Sequence, residues 1–122
     1  MGTEYIDSGD AYLDLLTEIS DEDVIGLRKA QESYGNSWKS RGGVGAFMML
    51  ARKWDRLENR VKKEAYGAPI WNIFSHIAMD PRSEGILDDI RDLRRYLLLV
   101  EAEMRARGIN PEHRDNAGGD NG

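Results

Sequence analysis

The chain has 122 residues, which is enough for one domain with a modest core. It contains no cysteine, and this excludes disulfides, thiolate metal sites and cysteine nucleophiles. No run approaches the roughly 20 consecutive apolar residues of a transmembrane helix. The acidic N-terminal segment lacks the apolar run of a secretory signal, so we expect a cytoplasmic location and no membrane partner.

Apolar residues recur at helical spacing in five segments: 10–20, 20–34, 44–63, 70–79 and 83–107. No segment alternates for long enough to predict a sheet. Ser20 with Asp23 resembles a capping box and predicts the start of the second helix, and Gly35 predicts its end. The fold class expected is all-α, a compact bundle of four to five helices. We expect a single helical domain over residues 1–108 and a disordered tail over residues 109–122.

The net charge of −5 conceals an uneven distribution. Residues 1–25 contain eight acidic residues and no lysine or arginine, whereas residues 28–63 contain ten basic residues against three acidic ones. The basic segment predicts an anionic partner, such as a phosphate-bearing small molecule. The acidic total argues against direct nucleic-acid binding. Two solvated faces that neutralise each other explain the distribution equally well.

The glycine-rich loop SYGNSWKSRGGVGAF, residues 33–47, is more elaborate than a plain connection requires. Backbone N–H groups at its glycines, followed by the start of a helix near Val44, favour an anion. Lys39 and Arg41 add charge, and Tyr34 or Trp38 can stack on a base. In the alternative, the two aromatic residues are core anchors and the glycines only permit a tight turn.

The helix after this loop carries an apolar stripe: Phe47, Leu50, Trp54, Leu57 and Val61. Lys53 and Arg56 lie one turn apart on one edge, where both can reach a phosphate. Asp55 and Glu58 share the opposite edge. Ordinary helix surface is the alternative.

Asp89, Asp92 and Tyr96 lie along one shoulder of the last helix. Carboxylates one turn apart suit a hard divalent cation that bridges to substrate phosphates. With the acidic pair of the earlier helix they give a candidate Mg²⁺ ligand set: Asp55, Glu58, Asp89 and Asp92. A solvated edge with helix-spaced arginine partners is the alternative.

Three segments, SYGNSW, KWDRLENRV and LDDIRDLRRYLLL, resemble the small, largely phage and prophage family called nucleotide modification associated domain 1. The resemblance covers about residues 28–105 and implies a role near nucleotide metabolism or modified DNA. The family pattern has a Tyr-Gly-x-Ser-Trp loop, a Lys-x-x-Arg helix and a later acidic helix with a Tyr. It therefore implies these ligand contacts: Tyr34, Gly35, Ser37, Trp38, Lys53, Arg56 and Tyr96.

A looser likeness is to MazG-like, all-α NTP pyrophosphohydrolases, which hold Mg²⁺ with E-x-x-E on one helix and E-x-x-D on a later one. DDIRDLRRYLLLVE is similar to their second metal helix. In LARKWDRLE, Lys53 and Arg56 stand where the glutamates are expected, and Asp55 with Glu58 align only after a shift of two residues. That departure favours direct phosphate binding by Lys53 and Arg56.

The sequence therefore predicts a phage-type nucleotide-binding protein. A catalytic version would be a Mg²⁺-dependent (deoxy)nucleoside triphosphate pyrophosphohydrolase. Two alternatives stay open: a non-catalytic binder that sequesters a signalling nucleotide, and a helical oligomerisation module. Small all-α nucleotide hydrolases tend to oligomerise, so the likeness extends to a homo-oligomer.

Overall fold

The computed structural model describes residues 9–62, 64–65, 68–69, 71–74 and 84–109. These contain three α-helices: α1 (Gly9–Tyr34), α2 (Gly42–Val61) and α3 (Glu84–Ala106). A single 3₁₀ turn, Ser37–Lys39, follows α1. The two-residue strands β1 (Glu64–Ala65) and β2 (Ala68–Pro69) pair antiparallel after α2. The all-α fold class is confirmed, whereas the count of four to five helices is not confirmed by the described part of the chain. The predicted tail lies outside the described residues from residue 110 on.

Helix α1 is continuous, so the predicted break at Ser20 is wrong. The residues around Ser20 include neither glycine nor proline. The hydroxyl of Thr17 donates to the carbonyl of Leu13 one turn earlier, at 3.0 Å, a hydrogen bond that an unbroken helix accommodates. Inside a helix the backbone N–H groups already have carbonyl partners, so Ser20 and Asp23 have no end to cap.

Helix α1 ends at the glycine that the sequence indicates. Gly35 has a φ of 57°, and its N–H donates to the carbonyl of Gln31 at 2.9 Å. This left-handed conformation costs glycine little because it has no Cβ. The predicted stop is confirmed.

A short apolar helix is predicted over 70–79, with Pro69 in its first turn. In the structure Ile73 is the first described residue of this segment that is helical. Pro69 lies in β2, and Trp71 and Asn72 are not helical. The side-chain oxygen of Asn72 accepts a hydrogen bond from the N–H of Phe74 at 3.0 Å, as a residue that caps a helix start does. Residues 75–79 lie outside the described residues.

Contacts divide the chain into two compact units, Met1–Ser40 and Arg41–Gly122, and each is described on its own. In the second unit α2 packs against α3. Their ion pairs join Lys53 to Asp92 and Arg60 to Asp89. Residues with higher numbers on α2 therefore lie opposite residues with lower numbers on α3. The two helices are therefore antiparallel. The prediction of one domain over residues 1–108 stays a prediction.

The packed face of α2 is rotated relative to the predicted stripe. Leu57 is buried, but Phe47 and Trp54 are exposed. Lys53, one turn before Leu57, is half-buried instead. The rotation has an electrostatic reason, because α3 supplies a carboxylate opposite Lys53 and the apolar stem of a lysine can pack while its ammonium stays near that charge.

Replacing Gly35 with alanine should lower the free energy of unfolding by about 1 kcal/mol, since alanine disfavours a positive φ. Gly43→Ala is the matched control, because Gly43 is helical, does not have a positive φ and has open space around its Cα. That change should raise the free energy of unfolding by about 0.5–1 kcal/mol. Urea unfolding followed by circular dichroism measures both, and equal effects would contradict the assignment of Gly35 as a left-handed cap.

Candidate anion-binding site

A seam of charged side chains runs along one flank of the α2–α3 pair. Three basic residues of α2 and two acidic residues of α3 form this charged seam: Lys53, Arg56, Arg60, Asp89 and Asp92. The basic residues recur after one and two turns, and at about 100° per residue this spacing keeps them on one edge of the helix. The structure thus brings together the cationic pair and the acidic pair that the sequence singles out on separate helices.

Asp89 lies at the centre of the charged seam and is shared by two arginines. Its side chain is only 4% exposed. Arg60 Nε lies 2.5 Å from Asp89 Oδ2, and Arg56 Nε lies 3.8 Å from Oδ1. A buried carboxylate is costly unless its charge is balanced, and the two guanidiniums provide that balance.

The contact between Arg60 and Asp89 is close but poorly directed. Despite the 2.5 Å separation, Asp89 Oδ2 is a buried oxygen that accepts no hydrogen bond of acceptable angle within the described part of the chain. We therefore treat the contact as an attraction between charges, with Arg60 turned so that its N–H is not aimed along an oxygen lone pair.

A second ion pair extends the charged seam by one turn. Lys53 Nζ lies 3.8 Å from Asp92 Oδ2, with the lysine side chain more covered than the aspartate. Partly exposed pairs of this kind contribute about 0–1 kcal/mol each. Their value here is positional, because the pair holds the lysine ammonium beside the arginines.

The charged seam keeps an excess of positive charge. It has three cations against two carboxylates. The side chains of Arg56 and Arg60 are 61% and 50% exposed, and both face Asp89 through Nε. Neither makes a further ion pair with the side chains that the structure describes, which on α3 begin at residue 85. The two terminal Nη groups of Arg56 can therefore donate outward, in the planar fork that matches phosphate or carboxylate oxygens, whereas Arg60 has one Nη group against Gly85 and can offer the other.

Arg60 fits against α3 because residue 85 is a glycine. A Cβ built on Gly85 would overlap Nη1 and Cζ of Arg60. Neither residue is among those that the sequence singles out for a binding site. For Arg60 a signal existed, since it falls one turn after Arg56 and two turns after Lys53, whereas the role of Gly85 depends on contact between two helices.

Tyr96 lies in the packed face of α3, one turn beyond Asp92. Burial raises the pKa of its hydroxyl above the ordinary value for tyrosine, so the side chain is neutral at neutral pH. A buried neutral phenol there supports the packing of α2 and α3 beside the charged seam.

The candidate magnesium ligands are not gathered into one cluster. Asp89 and Asp92 lie in the charged seam, but Asp55 and Glu58 are exposed on the other edge of α2. The described residues include no group of three or more acidic or histidine side chains positioned to hold a metal ion. Basic side chains of α2 already lie beside Asp89 and Asp92, and a divalent cation bound there would be repelled by them. The four-carboxylate site stays a prediction.

The predicted loop contacts divide between the two units. In the first unit Tyr34 is exposed at the end of α1, so it is not a core anchor. Gly35 follows it, and Ser37 begins the 3₁₀ turn. Trp38 is half-buried, and Lys39 Nζ lies 5.9 Å from the centre of its ring, within cation–π range.

In the second unit Arg41 is the residue that precedes α2, and its side chain makes no capping hydrogen bond. Gly45 lies one turn on, and a Cβ there would fall 2.7 Å from Arg41 Cβ. Gly45 thus leaves room for the arginine over the first turn of α2, which begins at Gly42 rather than near Val44. Binding by the loop residues stays a prediction.

No protein-family model, curated protein or solved structure matches the chain. The two family resemblances therefore stay predictions, and function has to be argued from the residues themselves. None of the helices in the described ranges combines the length and the apolar content that crossing a membrane requires.

Substituting asparagine for Asp89 should lower the free energy of unfolding by about 1–2 kcal/mol, because two guanidiniums lose the carboxylate that balances them. We discount the full cost of a broken buried pair, since the arginines are half exposed and can hydrate. Asp88→Asn is the matched control. It removes the same charge one residue away, from an exposed pair with Arg91, and should change stability by less than about 0.5 kcal/mol. Denaturant unfolding measures both variants. Equal losses in the free energy of unfolding would contradict the role of Asp89 in balancing the two arginines.

The overlap between Gly85 and Arg60 predicts that the effect of Gly85→Ala depends on the background. With Arg60 present, the added methyl group should push the guanidinium away from Asp89 and offset the helix propensity gained. With Arg60→Ala, the same change should stabilise by about 0.5–1 kcal/mol, as alanine does in an open helix. A double-mutant cycle in urea measures the coupling, and additive effects would contradict the contact.

Proposed function

We propose that this chain is a nucleotide-binding protein that holds the phosphates of its ligand on the outward side of the charged seam without hydrolysing them. The observation that carries the proposal is the sharing of one buried carboxylate, Asp89, by Arg56 and Arg60. The phage-type setting comes from the sequence resemblance and forms part of the proposal.

The shared carboxylate prepares the arginines for a ligand. Long basic side chains lose conformational freedom when they bind, at a cost of about 0.5–1.5 kcal/mol for each one immobilised. Asp89 restrains Arg56 and Arg60 before any ligand arrives, so part of this cost is already met in folding. Phosphate oxygens accept charge-assisted hydrogen bonds from Nη groups and also neutralise the excess positive charge.

Binding without hydrolysis is favoured by the partners of the acidic residues. Lys53 and the two arginines already balance Asp89 and Asp92. A divalent cation that used the same carboxylates would have to displace these three side chains and would then be repelled by them. An anionic ligand needs no such rearrangement.

We expect the full chain to retain at least one member of a panel of NTPs, dNTPs and cyclic nucleotides, unchanged after incubation with Mg²⁺. Chromatography reports consumption, and calorimetry reports affinity. Arg56→Ala and Arg60→Ala should each weaken binding by about 10–100-fold, the loss expected for a charge-assisted contact. The affinity of Arg56→Lys should lie between those of the wild type and Arg56→Ala, because lysine keeps the charge but lacks the planar fork.

Lys62→Ala is the matched control for binding. Lys62 is exposed and is the C-cap residue of α2, at about 120° around the helix from Arg56, and its removal takes away the same charge. It should change affinity by less than about twofold, as expected for a screened surface charge. If Lys62→Ala and Arg56→Ala weaken binding equally, the ligand is attracted by positive charge in general, and the assignment of a site at the charged seam is wrong.

Two further outcomes count against the proposal. If no nucleotide of the panel binds, the proposal of a nucleotide-binding protein is wrong. Consumption of a nucleotide with Mg²⁺, lost in Asp92→Asn, would replace it with the metal-dependent hydrolase. The observation that favours that second candidate is the placement of Asp89 and Asp92 one turn apart on the same flank of α3.

A further inference from the structure

An apolar stripe runs along the first half of α1, in the first compact unit. Its members recur at spacings of three and four residues, which places them on one line along the helix. We call these four residues the N-terminal stripe: Tyr12, Leu15, Leu16 and Ile19. Further along α1, Leu27 and Ala30 continue the same line. The pattern is typical of a helix face that packs against another element along its whole length.

The second half of this face is covered, but the first half is not. Asp23 is 1% exposed, and Leu27 and Ala30 are half-buried. By contrast, the members of the N-terminal stripe are 37–54% exposed, and every residue from 12 to 22 is exposed. Most of the stability of a helix in a protein comes from the packing of its apolar face. About three turns of α1 thus have the spacing of a packed face and lack the packing.

The charge of this half of α1 is all of one sign. Residues 9–27 contain six acidic residues and no lysine or arginine. Glu18 lies one turn after Leu15 and borders the N-terminal stripe, and Asp14 lies beyond it on the same side. Both of these acidic residues are exposed. A surface that covers the stripe therefore needs apolar residues at its centre and basic residues at this border.

This charge argues against a second copy and against the terminal segments of the chain as the occupant. Two N-terminal stripes packed together would bring acidic residues of both copies close with no basic residue among them, and like charges repel. Residues 1–8 contain two acidic residues and no lysine or arginine, and residues 110–122 contain three acidic residues and one arginine. Nucleic acid and anionic membrane surfaces are repelled for the same reason.

We infer that the N-terminal stripe is the docking site for a basic amphipathic helix of a partner protein. Apolar residues of the partner at helical spacing cover the stripe, and its lysine or arginine residues pair with Asp14 and Glu18 at the border. The apolar contact supplies most of the affinity, whereas the charges fix the orientation and disfavour acidic competitors. This site belongs to the first unit, and the charged seam belongs to the second.

A synthetic peptide of about 18 residues, or five helical turns, is the probe. It carries leucine at helical spacing along one face, lysine at the other positions and a fluorescent label. Fluorescence anisotropy with the full chain measures its affinity. We expect it to bind at least about tenfold more tightly than two comparison peptides. One has the same composition in an order that scatters the leucines around the helix, and the other has glutamate in place of lysine.

Leu16→Gln should weaken binding of the lysine peptide by about tenfold, the loss expected when one leucine side chain is no longer buried. Ile25→Gln is the matched control. Leu16 is 47% and Ile25 55% exposed, but Ile25 lies on the opposite side of α1, so its change should alter the affinity by less than about twofold. Circular dichroism should show unchanged helicity. If Leu16→Gln loses helicity, Leu16→Ala replaces it, because alanine favours a helix.

Glu18→Lys tests the acidic border of the N-terminal stripe. It should weaken binding of the lysine peptide by about three- to tenfold at low salt, because an attraction becomes a repulsion. The loss should shrink at high salt, where exposed charges are screened. Glu32→Lys is the matched control, since it makes the same change of charge on α1 outside residues 9–27. It should weaken binding by less than about twofold.

Three results would overturn the inference. One is a peptide with scattered leucines that binds as tightly as the amphipathic peptide, because the chain then attracts positive charge in general. Another is an equal loss of affinity in Leu16→Gln and Ile25→Gln. The third is no binding of the amphipathic peptide. If sedimentation then finds a wild-type dimer that dissociates in Leu16→Gln, a second copy covers the stripe instead of a basic partner.

Discussion

The second unit depends on one constraint, which is that the buried carboxylate of Asp89 needs compensating charge. Arg56 and Arg60 supply it from the neighbouring helix. These two arginines lie on the edge of α2 beside α3, and the pair between Lys53 and Asp92 continues the same edge by one turn. The pairing of Arg60 with Asp89 also demands a glycine at position 85, since the guanidinium of Arg60 occupies the space of a side chain. The ion pairing of Asp89 therefore affects the packing of α2, the placement of its charges and the residue type at position 85.

Much of the fold was predictable from local signals. The all-α class follows from helical spacing, and the end of α1 follows from the left-handed preference of Gly35. The break at Ser20 was predicted wrongly because a capping pattern is informative only where a helix actually begins. The packed face of α2 was misplaced for a different reason. Hydrophobicity ranks Phe47 and Trp54 above Lys53, and only the neighbouring helix reveals which of them is covered.

The candidate site divides along the same line. Spacing within one helix correctly put Lys53 beside Arg56, and Asp89 beside Asp92, because residues one turn apart share an edge. Spacing alone cannot tell whether two such pairs face each other or face separate ligands. That depends on the direction and offset of α2 against α3, which the ion pairs define. In the structure Asp89 pairs with two arginines and Asp92 with Lys53, and the role of the acidic pair as metal ligands stays a prediction.

The charged seam also limits how the two helices can slide past each other. As observed, Lys53 meets Asp92, and Arg56 and Arg60 meet Asp89. Displacement by one turn in one direction would set Lys53 opposite Tyr96 and Arg56 opposite Leu93, whereas the other direction would set Arg56 opposite Gly85. Neither displaced alignment pairs all three cations. Apolar packing tolerates such shifts far better than ion pairs do. The charged seam therefore selects one alignment of α2 against α3 among several with similar apolar contact.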